Sequence, residues 1–235
     1  MFYAMLPTIR SGPDKVPLRK PNGGRDMAGE NGDAFTFSND WFEVTARLVW
    51  DGVVPRIRPA AVLEIGSFEG ASACYLINQC EADLELHCID TWEGGAEHKR
   101  VGLDMTAVEH RFRQNTSLAA SRSAHLIKIF PHKGRSDDEL AALITAGFRE
   151  HFDMIYIDGS HFAHDVLSDA VLSFPLLKVG GHVFFDDYLW LGIGGGLDPL
   201  NGPKPGVDAF LNIFHHKMRL IWSPNAQVVA RKLES

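Results

Sequence analysis

Three acids and one histidine fall at spacings that could do chemistry. Phe152-Asp153-Met154-Ile155-Tyr156-Ile157-Asp158 is an apolar run ending in an acid, and Gly159-Ser160-His161 follows. Twenty-eight residues after Asp158, Val183-Phe184-Phe185-Asp186-Asp187 is a second such run. That interval holds a strand, a crossover helix and a strand, so Asp158, Asp186 and Asp187 should converge on neighbouring strand tips. Uncompensated carboxylates repel one another and resist desolvation. A hard divalent cation resolves this, and Mg²⁺ takes oxygen ligands while keeping waters that substrate oxygens can replace. The alternative is that Asp158 serves a cofactor while Asp186-Asp187 caps a solvated turn. His161 could serve as a general base beside such a cation, or as a hydrogen-bonding neighbour of the acids.

A second constellation precedes the first. Val62-Leu63-Glu64-Ile65-Gly66-Ser67-Phe68-Glu69-Gly70 reads as a buried strand, a tight turn and the start of a helix. Glycines at 66 and 70 let backbone approach a ligand at the carboxyl end of a strand, where open α/β sheets bind cofactors. Three readings compete. One is a helix-packing turn. A second, a dinucleotide site, wants Gly-x-Gly-x-x-Gly, and Phe68 stands at the middle position. The third is S-adenosylmethionine, which lacks phosphate and needs glycine backbone near its amino-acid end and carboxylates near its hydroxyl groups. Asp90, 24 residues after Gly66, ends the next apolar run and could accept from both ribose hydroxyls. Trp92 could stack on adenine or belong to the core.

These residues carry a resemblance. The 62–70 segment is similar to motif I of class I S-adenosylmethionine-dependent methyltransferases in its Glu-x-Gly-x-x-x-Gly form. Lys133-Gly134-Arg135-Ser136 resembles the Gly-x-Ser segment that borders adenine in metal-dependent members. The similarity runs from Val62 to about Trp190. Within the superfamily the likeness is to the metal-dependent small-molecule and sugar O-methyltransferases, the macrocin O-methyltransferase and cephalosporin-hydroxylase-like subgroup. Phe35-Thr36-Phe37-Ser38-Asn39-Asp40-Trp41-Phe42 is similar to an N-terminal signature of that subgroup. The resemblance implies S-adenosylmethionine bound by Glu64, Gly66, Ser67, Gly70, Asp90, Thr91, Trp92, Gly134, Ser136 and Asp158. It implies Mg²⁺ held by Asp158, Asp186 and Asp187; Asp158 and, from its place three residues further on, His161 are the expected catalytic residues. Catechol-type relatives carry Lys at the offset of His161, and sugar-type relatives carry Asp at the offset of Ser160, so the chain departs from both patterns. It allows a homo-oligomer.

The elements that must position these groups alternate between strand and helix. Strands are expected at 61–65, 84–90, 125–130, 152–158 and 182–186, short and apolar as strands buried on both faces should be. Helices are expected between them, at 71–80, at 140–148 behind a Ser136-x-x-Glu139 capping box, and from Val166 to Phe174, closed by Pro175. Asn39-Asp40 with Glu43 reads as a helix start, with Trp41, Val44, Leu48 and Val49 at helical spacing and Pro55 as the stop. Segments 218–222 and 227–232 flank a turn and predict a hairpin. The expected fold is a Rossmann-like, doubly wound seven-stranded α/β sheet, mostly parallel with a C-terminal antiparallel hairpin. Residues 1–34 hold four prolines and five glycines and read as a flexible arm or lid before one domain at 35–235. The glycine-rich stretch 191–206 reads as a mobile substrate loop, and Tyr188 and Trp190 just before it could line the acceptor pocket or belong to the core.

Composition bounds the rest. The chain has 235 residues, 45% hydrophobic and 23% charged, which excludes wholesale disorder. No run approaches the ~18 apolar residues of a membrane span, and three cysteines without a Cys-x-x-Cys pair fit a reducing, cytoplasmic setting. A net charge of −7 argues against nucleic acid and for a small hydroxylated acceptor. The leading expectation is Mg²⁺-dependent O-methylation of a sugar or natural product. The alternatives are a metal-independent N- or O-methyltransferase and an S-adenosylmethionine-binding protein without transfer activity.

Overall fold

The computed structural model describes residues 34–95, 98–99, 102–192, 198–222 and 226–235. The arm expected at 1–34 therefore lies almost wholly outside the described residues, as do positions 193–197 of the glycine-rich stretch. Helices α1 (Trp41–Val44) and α2 (Arg47–Ile57) lead into β1 (Ala61–Ile65), α3 (Ala71–Gln79), β2 (Leu84–Asp90) and α4 (Val108–Arg122). Then follow β3 (Ile127–Lys133), α5 (Ser136–Thr145), β4 (Phe152–Ile157), α6 (Ala163–Ser173) and β5 (Leu177–Phe185). A short 3-10 turn (Pro199–Asn201), α7 (Lys204–Ile213), β6 (Met218–Trp222) and β7 (Val228–Lys232) complete the chain.

The strands form one sheet in the order β3-β2-β1-β4-β5-β7-β6. β1 pairs in parallel with both β2 and β4, while β7 runs antiparallel to β5 and β6. Each strand alternates side chains between two cores. Val62, Met154, Tyr156 and Phe184 face the core built with α1 to α4. Leu63, Ile65, Ile155, Ile157 and Phe185 face the core built with α5 to α7. The sheet is thus covered on both faces, as the doubly wound expectation requires. The strand order reverses between β1 and β4, which opens a crevice at their carboxyl ends. Among the described residues no helix is long and apolar enough to cross a membrane.

Several local expectations are corrected. Pro55 does not stop α2, which continues to Ile57 and ends at Arg58 in the left-handed region. Trp41, Val44 and Leu48 are exposed; the buried side of this segment is Phe42, Ala46, Val49, Trp50, Val53 and Val54. Strand β3 runs past Pro131 to Lys133 because it is an edge strand, where a missing N–H costs no ladder bond. Strand β5 starts at Leu177, before Gly180-Gly181, with a register irregularity against β4. The Ser136-x-x-Glu139 capping box does not form. Helix α5 begins at Ser136 itself, and Glu43 pairs with Arg47 at 2.7 Å.

Candidate active site

The glycine loop joins β1 to α3 under tight steric limits. Gly66 has φ +89°, and a Cβ there would overlap the backbone carbonyl of Asp158, so the tips of β1 and β4 touch. Gly70, at φ +80°, opens α3; a Cβ there would press on Thr116 and Phe112. Between them Phe68 sits at φ +45°, an unusual conformation for a large side chain. Asp90 holds it: Phe68 N–H donates to Asp90 Oδ2 and Trp92 N–H to Oδ1, both at 2.7 Å. Burial pushes the Asp90 carboxyl up, and these two N–H donors offset part of that. The Trp92 indole is buried against Phe112 and donates to the Phe68 carbonyl at 2.9 Å, so it is core and does not line the crevice. Glu64 is fully buried; one oxygen accepts from the Ser72 hydroxyl, and burial pushes its carboxyl up against the Ser67 and Ser72 hydroxyls that favour its charged form.

The acidic tips follow from strand register. Tyr156 pairs with Phe184, and Asp186 N–H donates to the Ile157 carbonyl at 3.0 Å. Pleating then places Tyr156, Asp158 and Asp186 on one face. The Tyr156 hydroxyl lies 2.9 Å from Asp158 Oδ2 and also contacts Asp186 Oδ2. The other Asp186 oxygen accepts the Asp187 N–H at 2.7 Å. Asp187 takes φ +52°, which breaks the strand's alternation. Its Oδ2 lies 3.0 Å from His161 Nε2. Ligand atoms of Asp158, His161 and Asp187 all lie within 4.8 Å of one another; Asp186, turned to Tyr156, is outside that set. Burial, then the charges of Asp186 and Asp187, push the Asp158 carboxyl well up. Burial and Asp187 push Asp186 up to about 6. Concentrated, desolvated negative charge with an imidazole at its edge is a donor set a divalent cation fits.

Both constellations open into one cavity of about 690 Å³. Gly66, Ser67, Asp90 and Thr91 line one part of it, and Gly134 and Ser136 line the end by α5. Asp158, His161, Asp186 and Asp187 line another. Glu64, Gly70 and Trp92 stand behind the wall and shape the loop. Trp190 packs on His161 with ring centres 4.4 Å apart, while Tyr188 binds Asp208 and Lys204 outside the cavity. The rings of Trp41, Phe68 and His98 meet pairwise at 5.5–6.1 Å along the same wall. His164 is exposed beside Asp165, and His215 and His216 are exposed.

The sequence reading did not anticipate the clamp on segment 35–40. Ser38 N–H donates to Glu69 Oε2 at 2.6 Å, and Arg111 Nε donates to Glu69 Oε1 at 2.5 Å. Asn115 pairs with the Thr36 backbone in both directions. Nor did it mark Tyr156, whose only signal is its place two residues before Asp158.

Residues 63–188 match the family described as Methyltransferase domain, more than half of the chain. A curated relative, an uncharacterised protein y4gI of Sinorhizobium fredii, is 29% identical over 138 residues. The match covers 57% of this chain and spans 14% of that protein's length. The O-methyltransferase TomG of Streptomyces achromogenes, solved with S-adenosylmethionine, superposes with TM-score 0.57 at 19% identity, covering 86% of this chain and 83% of TomG. An O-methyltransferase of Bacillus cereus, solved with S-adenosylhomocysteine, gives TM-score 0.53 at 15% identity and 79% coverage of each chain. These likenesses show the shared fold, and the family match supplies the identity: the chain belongs to the Methyltransferase domain family.

Proposed function

We propose that this protein transfers the methyl group of S-adenosylmethionine to a hydroxyl oxygen of a small molecule, with a divalent cation held by Asp158 and Asp187 and with Asp186 beside them. The observation that carries this reading is the single cavity in which the glycine loop and the acidic tips face a common space. The residues fit the cofactor. Gly66 and Phe68 turn at positive φ beside Asp90, and Ser67 between them lines the cavity. S-adenosylmethionine supplies a methyl group on a sulfonium, open to in-line attack by oxygen. Mg²⁺, when bound, would orient the acceptor hydroxyl and lower its pKa.

The chain's own groups do the rest. Asp158 stands where the β1 and β4 tips meet and can orient the methyl donor and the cation site together. His161 takes the hydroxyl proton, and Asp187, 3.0 Å away, stabilises the charge the ring gains. Trp41, Phe42, Phe68 and Trp190 wall the cavity and exclude water, and holding donor and acceptor in line is worth up to ~7–11 kcal/mol. A second reading is favoured by the convergence of Asp158, His161 and Asp187: the imidazole is itself a ligand and not the base.

The test is turnover with vicinal-diol, phenolic and glycoside acceptors, with and without EDTA, followed by mass spectrometry of the product. Methylated product that EDTA suppresses and Mg²⁺ restores supports the proposal, and product formed equally in EDTA removes the metal. If His161 is the base, His161→Ala lowers kcat ~10²–10⁴-fold while leaving Mg²⁺ affinity intact. If it is a ligand, the same change weakens Mg²⁺ binding.

A further inference from the structure

We propose that Tyr156 is a positioning residue for the cation site: its hydroxyl ties the Asp158 carboxylate to Asp186 across the β4 and β5 tips and so holds Asp158 where it offers an oxygen beside Asp187 and His161. The inference rests on the metal-dependent reading above and adds a residue outside its ligand set. Tyr156 is 1% exposed, and its ring lies in an aromatic cluster. Trp50 meets it edge-on with ring centres 4.8 Å apart, and Trp50 is in turn packed by Phe42, Tyr75 and Phe184. A phenylalanine would fill that volume equally well. The hydroxyl is the extra feature, and a hydroxyl buried in such surroundings is costly unless it is hydrogen-bonded.

Its two partners are the carboxylates at the tips of adjacent strands. The ring cannot swing without displacing Trp50, so the oxygen is a fixed point between β4 and β5. It takes one oxygen of each acid. The second Asp186 oxygen accepts the Asp187 N–H, and Asp158 still offers a ligand atom beside Asp187 and His161. Each carboxylate has about four lone-pair sites, so these bonds orient the acids without exhausting them. Without the hydroxyl, two desolvated acids would lose their shared donor and their fixed separation.

The experiment is titration of Mn²⁺, followed by electron paramagnetic resonance, into the full-length protein and Tyr156→Phe. S-adenosylhomocysteine affinity and Tm are measured alongside. Substitutions of groups that orient metal ligands typically weaken metal binding ~10–100-fold, and that loss is expected here with S-adenosylhomocysteine affinity retained. Equal Mn²⁺ affinity in the two proteins overturns the positioning role and leaves the metal-dependent reading standing. No Mn²⁺ binding by the wild type overturns that reading and this inference together. If Tyr156→Phe does not fold, 3-fluorotyrosine placed at position 156 keeps the ring and strengthens the donor. An altered Mn²⁺ affinity supports the role, and an unchanged one overturns it.

Discussion

Asp169 gives the sharpest test of the electrostatics beneath the cavity. It lies on α6 and is 1% exposed, with the Ser136 hydroxyl as the group that most offsets its burial. Burial, then the like charges of Asp165 and Asp137, push its pKa from an ordinary 3.8 up to about 7. The folded protein therefore holds a proton that the unfolded chain has released between those pH values. Stability must fall as pH rises through that window, because the native state binds more protons. At ~1.4 kcal/mol per pH unit, the gap amounts to roughly 4 kcal/mol lost by pH 8. Asp169→Asn keeps the shape and removes the ionisation. It should stabilise the protein by roughly 2–4 kcal/mol at pH 8 and change little at pH 4.5. Urea denaturation of both proteins from pH 4.5 to pH 8 measures the difference directly, since every other titrating group cancels. A difference that stays flat with pH, or a variant less stable at pH 8, would refute the reasoning.

Three further perturbations probe other parts of the molecule. Gly66→Ala forces a methyl into the Asp158 carbonyl at φ +89° and should abolish S-adenosylhomocysteine binding with a loss of at least ~2 kcal/mol, read by calorimetry and thermal melts. Arg111→Met strips the cationic partner from buried Glu69, 1% exposed, and should cost ~3–5 kcal/mol in denaturant titrations; a loss below ~1 kcal/mol would mean the pair contributes nothing. His87, held down to about 4 from 6.5 by burial, keeps the native state under-protonated between those values. The stability it confers is full above pH 6.5 and lost as pH falls toward 4. His87→Gln should flatten that acid limb by up to ~3 kcal/mol, measured as unfolding free energy at pH 4.5 and pH 7.

The parallel sheet and its tips were legible because buried strands are apolar runs with abrupt polar ends. Glu64 to Gly70, Asp90, Asp158 and Asp186-Asp187 mark four such ends, and the structure brings the tips to one edge. What escaped the sequence has physical reasons. Pro131 reads as a strand stop, yet on an edge strand its missing N–H faces outward. Gly180-Gly181 reads as a break, yet β5 runs through it with a bulge. Trp41, Val44 and Leu48 have helical spacing, but the inward direction of α1 and α2 is set by contacts far along the chain. The role of Tyr156 depends on the β4–β5 register, and an isolated strand sequence does not encode register.

The left-handed turn at Asp187 restricts how this site can evolve. At φ +52° glycine, asparagine and aspartate sit with the least backbone strain. Of these, asparagine and aspartate keep a side-chain oxygen facing His161. The site can thus gain or lose one unit of negative charge by a single replacement that leaves the turn undisturbed. Most other residues would strain the turn and lose that oxygen. The backbone therefore favours a choice of charge at this position, so a lineage could change its cation affinity or acceptor range there without rebuilding the cavity around it.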